Sequence, residues 1–193
     1  MMVAQPEITT RKKMVADWLA LDDEAGHWEL LDGELTPWSG SNGEDDMAGG
    51  ALPNHAIAIS RLMLQIDKIK PNGEVFTASV GIYFDEENTP EPDIFWIKEG
   101  GRCKASERYF EGAPDLIVEV LSPGTARKDR TTKYELYQKH GVTEYWIADP
   151  SKHRVEVYTL VGKKYQQTGI YGDGEAFDSP VLGARVVLIG MFI

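Results

Sequence analysis

Apolar residues fall into two kinds of run along this chain. In one kind they recur every three or four positions. Met14, Val15, Trp18 and Leu19 do so within 11–21, behind Thr9 and Thr10, and Ile59, Leu62, Met63, Ile66 and Ile69 do so within 55–70. These spacings predict amphipathic helices, the first with a threonine cap and the second ended by Pro71-Asn72-Gly73. The stretch 125–140, with Tyr134, Leu136 and Tyr137 and a terminating Gly141, predicts a third. In the other kind the runs are short. Ile94 to Ile97, Leu116 to Leu121 and Glu144 to Ala148 are nearly continuous, as in central strands covered on both faces. Glu74 to Phe84 alternates around Val75, Val80, Ile82 and Phe84 and predicts one strand. Trp28 to Trp38 sets Asp32-Gly33 between two apolar runs, a hairpin signal.

The tail alternates at Val155, Val157 and Tyr158, again near Tyr165, and closes on an apolar stretch from Val181 to Ile193, which predicts a meander of strands. Residues 39–53 are rich in Gly, Asp and Ser and carry no packing pattern, so they predict a long loop of the kind that serves as a lid. Antiparallel pieces on either side of a strand–helix–strand centre predict a mixed α/β (α+β) domain over 1–193, with a central mixed sheet flanked by helices and antiparallel C-terminal strands.

Composition changes this picture little. At 193 residues, 42% hydrophobic and 26% charged, the chain has the makings of one globular domain. A formal charge of −11 works against a general nucleic-acid binder. The charge is uneven, however: Arg127, Lys128, Arg130, Lys133 and Lys139 face only Asp129 and Glu135 in their stretch. Cys103 is the only cysteine, which excludes an internal disulfide and a zinc-thiolate pattern. Neither a signal-peptide core nor a membrane-length apolar run occurs, so a cytoplasmic protein away from membranes is expected.

Candidate chemistry lies in two of the short runs. Glu91-Pro92-Asp93 opens the first, and Glu119 ends the second, which begins at Pro114-Asp115. If the runs pair as antiparallel strands, Asp93 and Glu119 meet. Asp115 lies four residues before Glu119, about 13 Å away at strand rise, too far to share an ion with it. Two carboxylates, with the backbone carbonyl of Val120 as a third oxygen, are hard ligands suited to a divalent cation. Lys133, in the following helix, can reach back toward the strand end, because helical side chains lean toward the N-terminus.

This arrangement resembles the PD-(D/E)xK nuclease superfamily. More narrowly it resembles the Uma-two family of restriction-endonuclease-like proteins, through WELLDGEL, LPNHAIAISRL, EPD and, above all, APDLIVEVLSPGTARKDRTTKYELYQKHGVTEYWIADP. The resemblance covers about residues 10 to 160. It implies a restriction-endonuclease-like core and a Mg2+-dependent (or Mn2+-dependent) endonuclease acting on DNA. It implies Asp93 and Glu119 as metal ligands and Lys133 as the lysine moved from strand to helix, since Leu121 stands where the superfamily's Glu-x-Lys has its lysine. His55 is implied to face the same site, and Glu29 and Glu34 are candidates for the N-terminal acid. Relatives that cut both strands often work as dimers, which raises a homodimer here.

Each residue also has a plainer reading. Asp93 after proline can cap a turn, and Lys133 can be a solvated helix residue paired with Asp129 at i, i+4. His55 can be a surface residue at a helix start. Glu119 is harder to dismiss, because a carboxylate in an apolar strand costs several kcal/mol unless paired. Asp115 reads as a strand-start residue holding backbone amides, and Tyr134, Tyr137, Tyr145 and Trp146 as core aromatics. Arg127, Lys128 and Arg130 are either a solvated helix start or a track for a phosphate backbone. The rival to a nuclease is a module that keeps the fold and binds nucleic acid or a protein partner without cutting.

Overall fold

The computed structural model describes residues 12–21, 28–37, 53–69, 72–77 and 80–192. The expected threonine cap at Thr9 and Thr10 lies outside them, as does nearly all of the expected loop over 39–53. The first helix is shorter than its periodicity predicts: α1 spans Val15–Leu19. β1 (Trp28–Leu31) and β2 (Glu34–Pro37) form the expected hairpin. Asp32 and Gly33, at φ 51° and 75°, give both central turn positions the positive φ of a type I′ turn.

The remaining elements assemble around one sheet. α2 spans Pro53–Ile69 and buries His55, Ala58, Leu62 and Ile66 on one face. β3 (Gly73–Thr77), β5 (Ile94–Lys98), β8 (Leu116–Val120), β9 (Glu144–Asp149), β10 (Arg154–Val161) and β11 (Lys164–Gly172) lie in the order β11-β10-β9-β8-β5-β3. Every neighbouring pair is antiparallel except β8 with β9. That parallel pair is joined by helix, the connection parallel strands require. A central mixed sheet of six strands with few helices is the fold class expected from the pattern.

Alternation along β5, β8 and β9 sorts the core into two layers. Ile94, Trp96, Val118, Val120 and Trp146 pack with α2 and with a hairpin of β12 (Ala176–Ser179) and β13 (Ala184–Val187). Phe95, Ile117, Tyr145 and Ile147 pack with the helix after β8. Glu119 shares the parity of Ile117, which aims it at this second layer.

Three expectations need correction. The alternating run 74–84 is not one strand. It divides into β3 and β4 (Ile82–Tyr83), and β4 belongs to a separate three-stranded sheet with β6 (Lys104–Ala105) and β7 (Phe110–Glu111). Between them Gly81 passes so close to the Trp18 ring and Thr89 that a Cβ would lie 2.8 and 2.7 Å from them. The third helix is also broken, into α3 (Ala126–Arg130) and α4 (Thr132–His140), at Thr131 with φ −125° and ψ −85°. The Thr131 hydroxyl donates back to the Arg127 carbonyl at 2.7 Å, a local bond that weakens and bends helices at β-branched residues. Lys133 therefore stands in the first turn of α4 rather than two turns into a longer helix. Finally, the meander expected of the tail takes in little of its last apolar stretch, since among the described residues only Ala184–Val187 of it lies in a strand, paired with β12.

Candidate active site

The β5–β8 register pairs Ile94 with Val118 and Phe95 with Ile117. Continued by one residue, it sets Asp93 opposite Glu119, where directly opposed Cα atoms are about 4.5–5.5 Å apart. Leu121 donates its N–H to the Ala148 carbonyl on β9. Val120, one step earlier, turns its own polar groups to the other side, and its N–H donates to Asp93 Oδ2 at 2.7 Å. The same Oδ2 lies 3.5 Å from His55 Nε2, at the start of α2. Burial pushes the His55 pKa down, but the hydrogen bond and charge of Asp93, and a bond to the Val120 backbone, outweigh it, so the net direction is up. A backbone bond that favours the charged ring has a carbonyl as its acceptor, which turns the Val120 oxygen to this site as well.

α4 delivers the rest. Lys133 Nζ lies 2.6 Å from Glu29 Oε1, 3.0 Å from Glu119 Oε1 and 3.7 Å from Asp129 Oδ1. Tyr137, one turn on, donates its hydroxyl to Glu119 Oε1 at 2.7 Å. Glu29, on β1, accepts the Glu91 backbone N–H at 3.0 Å. The hairpin is itself held from α1, by the Trp18 indole donating to the Trp28 carbonyl at 2.5 Å.

Glu29, Glu91, Asp93, Glu119, Asp129, Lys133 and His55 are each no more than 7% exposed. Fully ionised, five carboxylates against two cations leave a surplus of three negative charges. Burial is the main cause that pushes Glu91 up to about 7, with Glu29 adding to it. Burial likewise pushes Asp129 up to about 6 against the pull of Lys133, and it raises Glu119 well above the carboxylate range. Lys133 is raised well above its ordinary value, because the three carboxylates around it outweigh its own desolvation.

The sign of the pH dependence follows. A carboxyl raised on folding binds its proton more tightly in the folded state, so its stabilisation fades as pH climbs from about 4.5 through its folded value. The raised His55 works in the same direction. Asp85, Asp149 and Glu156 have lowered values and lose their contribution only in acid. Without divalent cations the melting temperature is expected to peak near pH 5 and to fall between about 5 and 8. Melts across that range check it, and a flat or rising profile contradicts it.

Among the described residues, no three His, Cys, Asp or Glu side chains converge closely enough to hold a metal by themselves. The Lys133 ammonium stands among Glu29, Glu119 and Asp129. The donor set still fits Mg2+, which is bound through one or two carboxylates and keeps several waters. Asp93, Glu119 and the Val120 carbonyl would supply three hard oxygens, and a cation would offset the carboxylates buried together here.

Other candidates lie elsewhere. Asp115 Oδ2 accepts the Lys98 N–H at 3.0 Å, at the opposite end of β8. Glu34 is exposed on the hairpin. Arg130 grips Glu156 with two bonds, 2.7 and 2.9 Å long, while Arg127 is exposed and Lys128 half-buried on α3. Tyr134, Tyr137, Tyr145 and Trp146 pack as core aromatics, Tyr134 among Tyr145, Tyr158 and Tyr165. Glu91, Asp129 and Tyr137 were not among the sequence candidates for the site. Asp129, Lys133 and Tyr137 are spaced at i, i+4 and i+8, so the single helix expected over 125–140 would set them on one face, a signal that could have found two of them.

The chain matches the Uma2 family model, described as "Putative restriction endonuclease", over residues 15–188. A curated relative, "Uncharacterized protein sll1609" of Synechocystis, is 27% identical over 165 residues, which is 81% of this chain and 85% of that protein. The crystal structure of "a putative nuclease belonging to DUF820" from Anabaena variabilis aligns with a TM-score of 0.69 and 18% identity, covering 93% of this chain and 97% of that one. At that identity the likeness speaks for the fold.

Proposed function

The chain belongs to the Uma2 family, and on that footing we propose that it is a Mg2+-dependent endonuclease that hydrolyses DNA phosphodiester bonds. The observation that carries this reading is the β5–β8 register, which continued by one residue brings Asp93 opposite Glu119 inside a cluster of five buried carboxylates. Asp93, Glu119 and the Val120 carbonyl would hold the ion, with Mn2+ as an alternative. Bound there, it would lower the pKa of a coordinated water and offset charge building on the phosphorane.

The chain's own groups do the rest. His55 and the Val120 N–H fix Asp93 Oδ2 from two sides. Tyr137 and Lys133 both reach Glu119 Oε1, which sets the orientation of that carboxylate. The Lys133 ammonium, unable to lose its proton among three acids, is a fixed positive charge for the attacking water and the transition state. Arg127 and Lys128, on the helix that follows the site, would meet a phosphate backbone. In this reading residues 1–193 act as one nuclease domain, and two copies would be needed to cut both strands together.

The test is conversion of supercoiled plasmid to nicked circles. Nicking in Mg2+ or Mn2+ that stops with EDTA is expected. Binding of DNA with no nicking in either metal would favour the rival, a module that keeps the fold without cutting. One observation favours that rival: Lys133 is already held by Glu29 and Glu119, at 2.6 and 3.0 Å.

A further inference from the structure

Asp129 stands out in the cluster by the state of both its carboxylate oxygens. It is 1% exposed, and among the described residues neither carboxylate oxygen accepts a hydrogen bond of good geometry. Buried carboxylates are almost always hydrogen-bonded, and an unsatisfied one costs the protein its desolvation. The neighbouring Thr125 hydroxyl eases the charge of Asp129 through a side-chain hydrogen bond, and it also lies 3.1 Å from Ser122 Oγ. Lys133 Nζ, one helical turn on, stops 3.7 Å away, beyond hydrogen-bond reach, because Glu29 and Glu119 hold it at 2.6 and 3.0 Å. An ammonium has three donors. Two are used here, and the third has an empty acceptor less than 1 Å beyond hydrogen-bond range.

We propose that Asp129 is a positioning residue: it is the seat that receives the Lys133 ammonium when a divalent cation takes Glu119. The inference rests on the metal-dependent reading above. A cation on Glu119 repels the ammonium beside it. Glu29, on the fixed hairpin, remains a partner, and a small shift of the flexible lysine end completes a bond to Asp129. The shift gives Asp129 a charged hydrogen bond that it lacks at 3.7 Å, so the cost of displacing Lys133 from Glu119 is offset across the junction of α3 and α4. Asp129 also faces Asp93, Glu29 and His55 across the site, so its charge contributes to holding a cation in general. The test must separate that general effect from a specific route through Lys133.

Mn2+ binding measured by calorimetry without DNA, on wild type, Asp129→Asn, Lys133→Gln and the double variant, makes that separation. Asp129→Asn is expected to weaken binding by about tenfold, in the range for residues that support metal ligands. In the Lys133→Gln background the same substitution is expected to change it by less than about twofold. An equal loss in both backgrounds would overturn the proposal, leaving Asp129 a mere source of charge or a direct ligand. Absence of Mn2+ binding by wild type would instead remove the metal-dependent reading, and this inference with it. If Lys133→Gln does not fold, the 15N shift of the buried lysine ammonium replaces the cycle. It should move on adding Zn2+ or Mg2+ to wild type and stay put in Asp129→Asn. Movement of the same size in both would overturn the proposal.

Discussion

Glu119→Gln is expected to lower metal-dependent nicking by roughly a thousandfold or more, while leaving the protein folded. The loss corresponds to the several kcal/mol that a bound ion contributes at a phosphoryl centre. Gln keeps the shape of Glu119 and can still accept the Tyr137 hydroxyl bond that the carboxylate takes at 2.7 Å. Lys133 keeps Glu29 at 2.6 Å, so no bare buried cation is created. That separates this variant from Glu119→Ala, in which loss of activity and loss of packing would be confounded. Nicking rates measured beside thermal melts check both halves. A variant that cuts within about tenfold of wild type would remove Glu119 from the metal site.

Lys133→Met is expected to have the largest effect on stability. Removing one partner of a buried ion pair costs about 3–5 kcal/mol, because the remaining charges are left without compensation. Here three carboxylates, Glu29, Glu119 and Asp129, lose the same cation. The cost should depend on pH in a definite direction. Asp129 sits at about 6 and Glu119 well above the carboxylate range even with the ammonium in place. Without it, both rise further and take up protons as pH falls. The destabilisation relative to wild type is therefore expected to be full at pH 8 and to shrink toward pH 5. Urea unfolding at the two values measures it, and an equal loss at both would contradict a buried, charge-rich site.

Strand arithmetic made the meeting of Asp93 and Glu119 legible in the sequence. The period of two and the positions of two prolines are enough to oppose Asp93 to Glu119 and to send Asp115 to the far end of β8, where it holds the Lys98 amide. Helix periodicity placed α2, and with it His55, nearly residue for residue. What was not legible depends on distant or competing interactions. The break at Thr131 comes from one hydroxyl turning back on the Arg127 carbonyl, and propensity alone does not predict it. The separation of β4 from β3 accompanies close contact of Gly81 with Trp18, from a helix some sixty residues earlier. Glu91 joins the cluster, and Glu29, which only the family resemblance had offered, reaches it, because the β1–β2 hairpin docks beside the entry to β5 through Leu30 and Thr89. No local pattern marks that docking.

The cluster also puts the charge of −11 in a different light. Part of that excess is not surface acidity but five carboxylates buried around two cations. Buried anions of this kind weigh against a protein only while they lack a counter-ion, so the composition that argued against nucleic acid is, in part, what a cation-binding nuclease site needs.

The central claim is that Asp93 and Glu119 share one divalent ion. Crystals grown with Mn2+ and measured at the manganese absorption edge test it most directly. The account predicts a single anomalous peak bonded to carboxylate oxygens of both residues and to the Val120 carbonyl, at about 2.0–2.3 Å. An ion bound elsewhere, or Asp93 and Glu119 unchanged around a site that stays empty at saturating Mn2+, would contradict it.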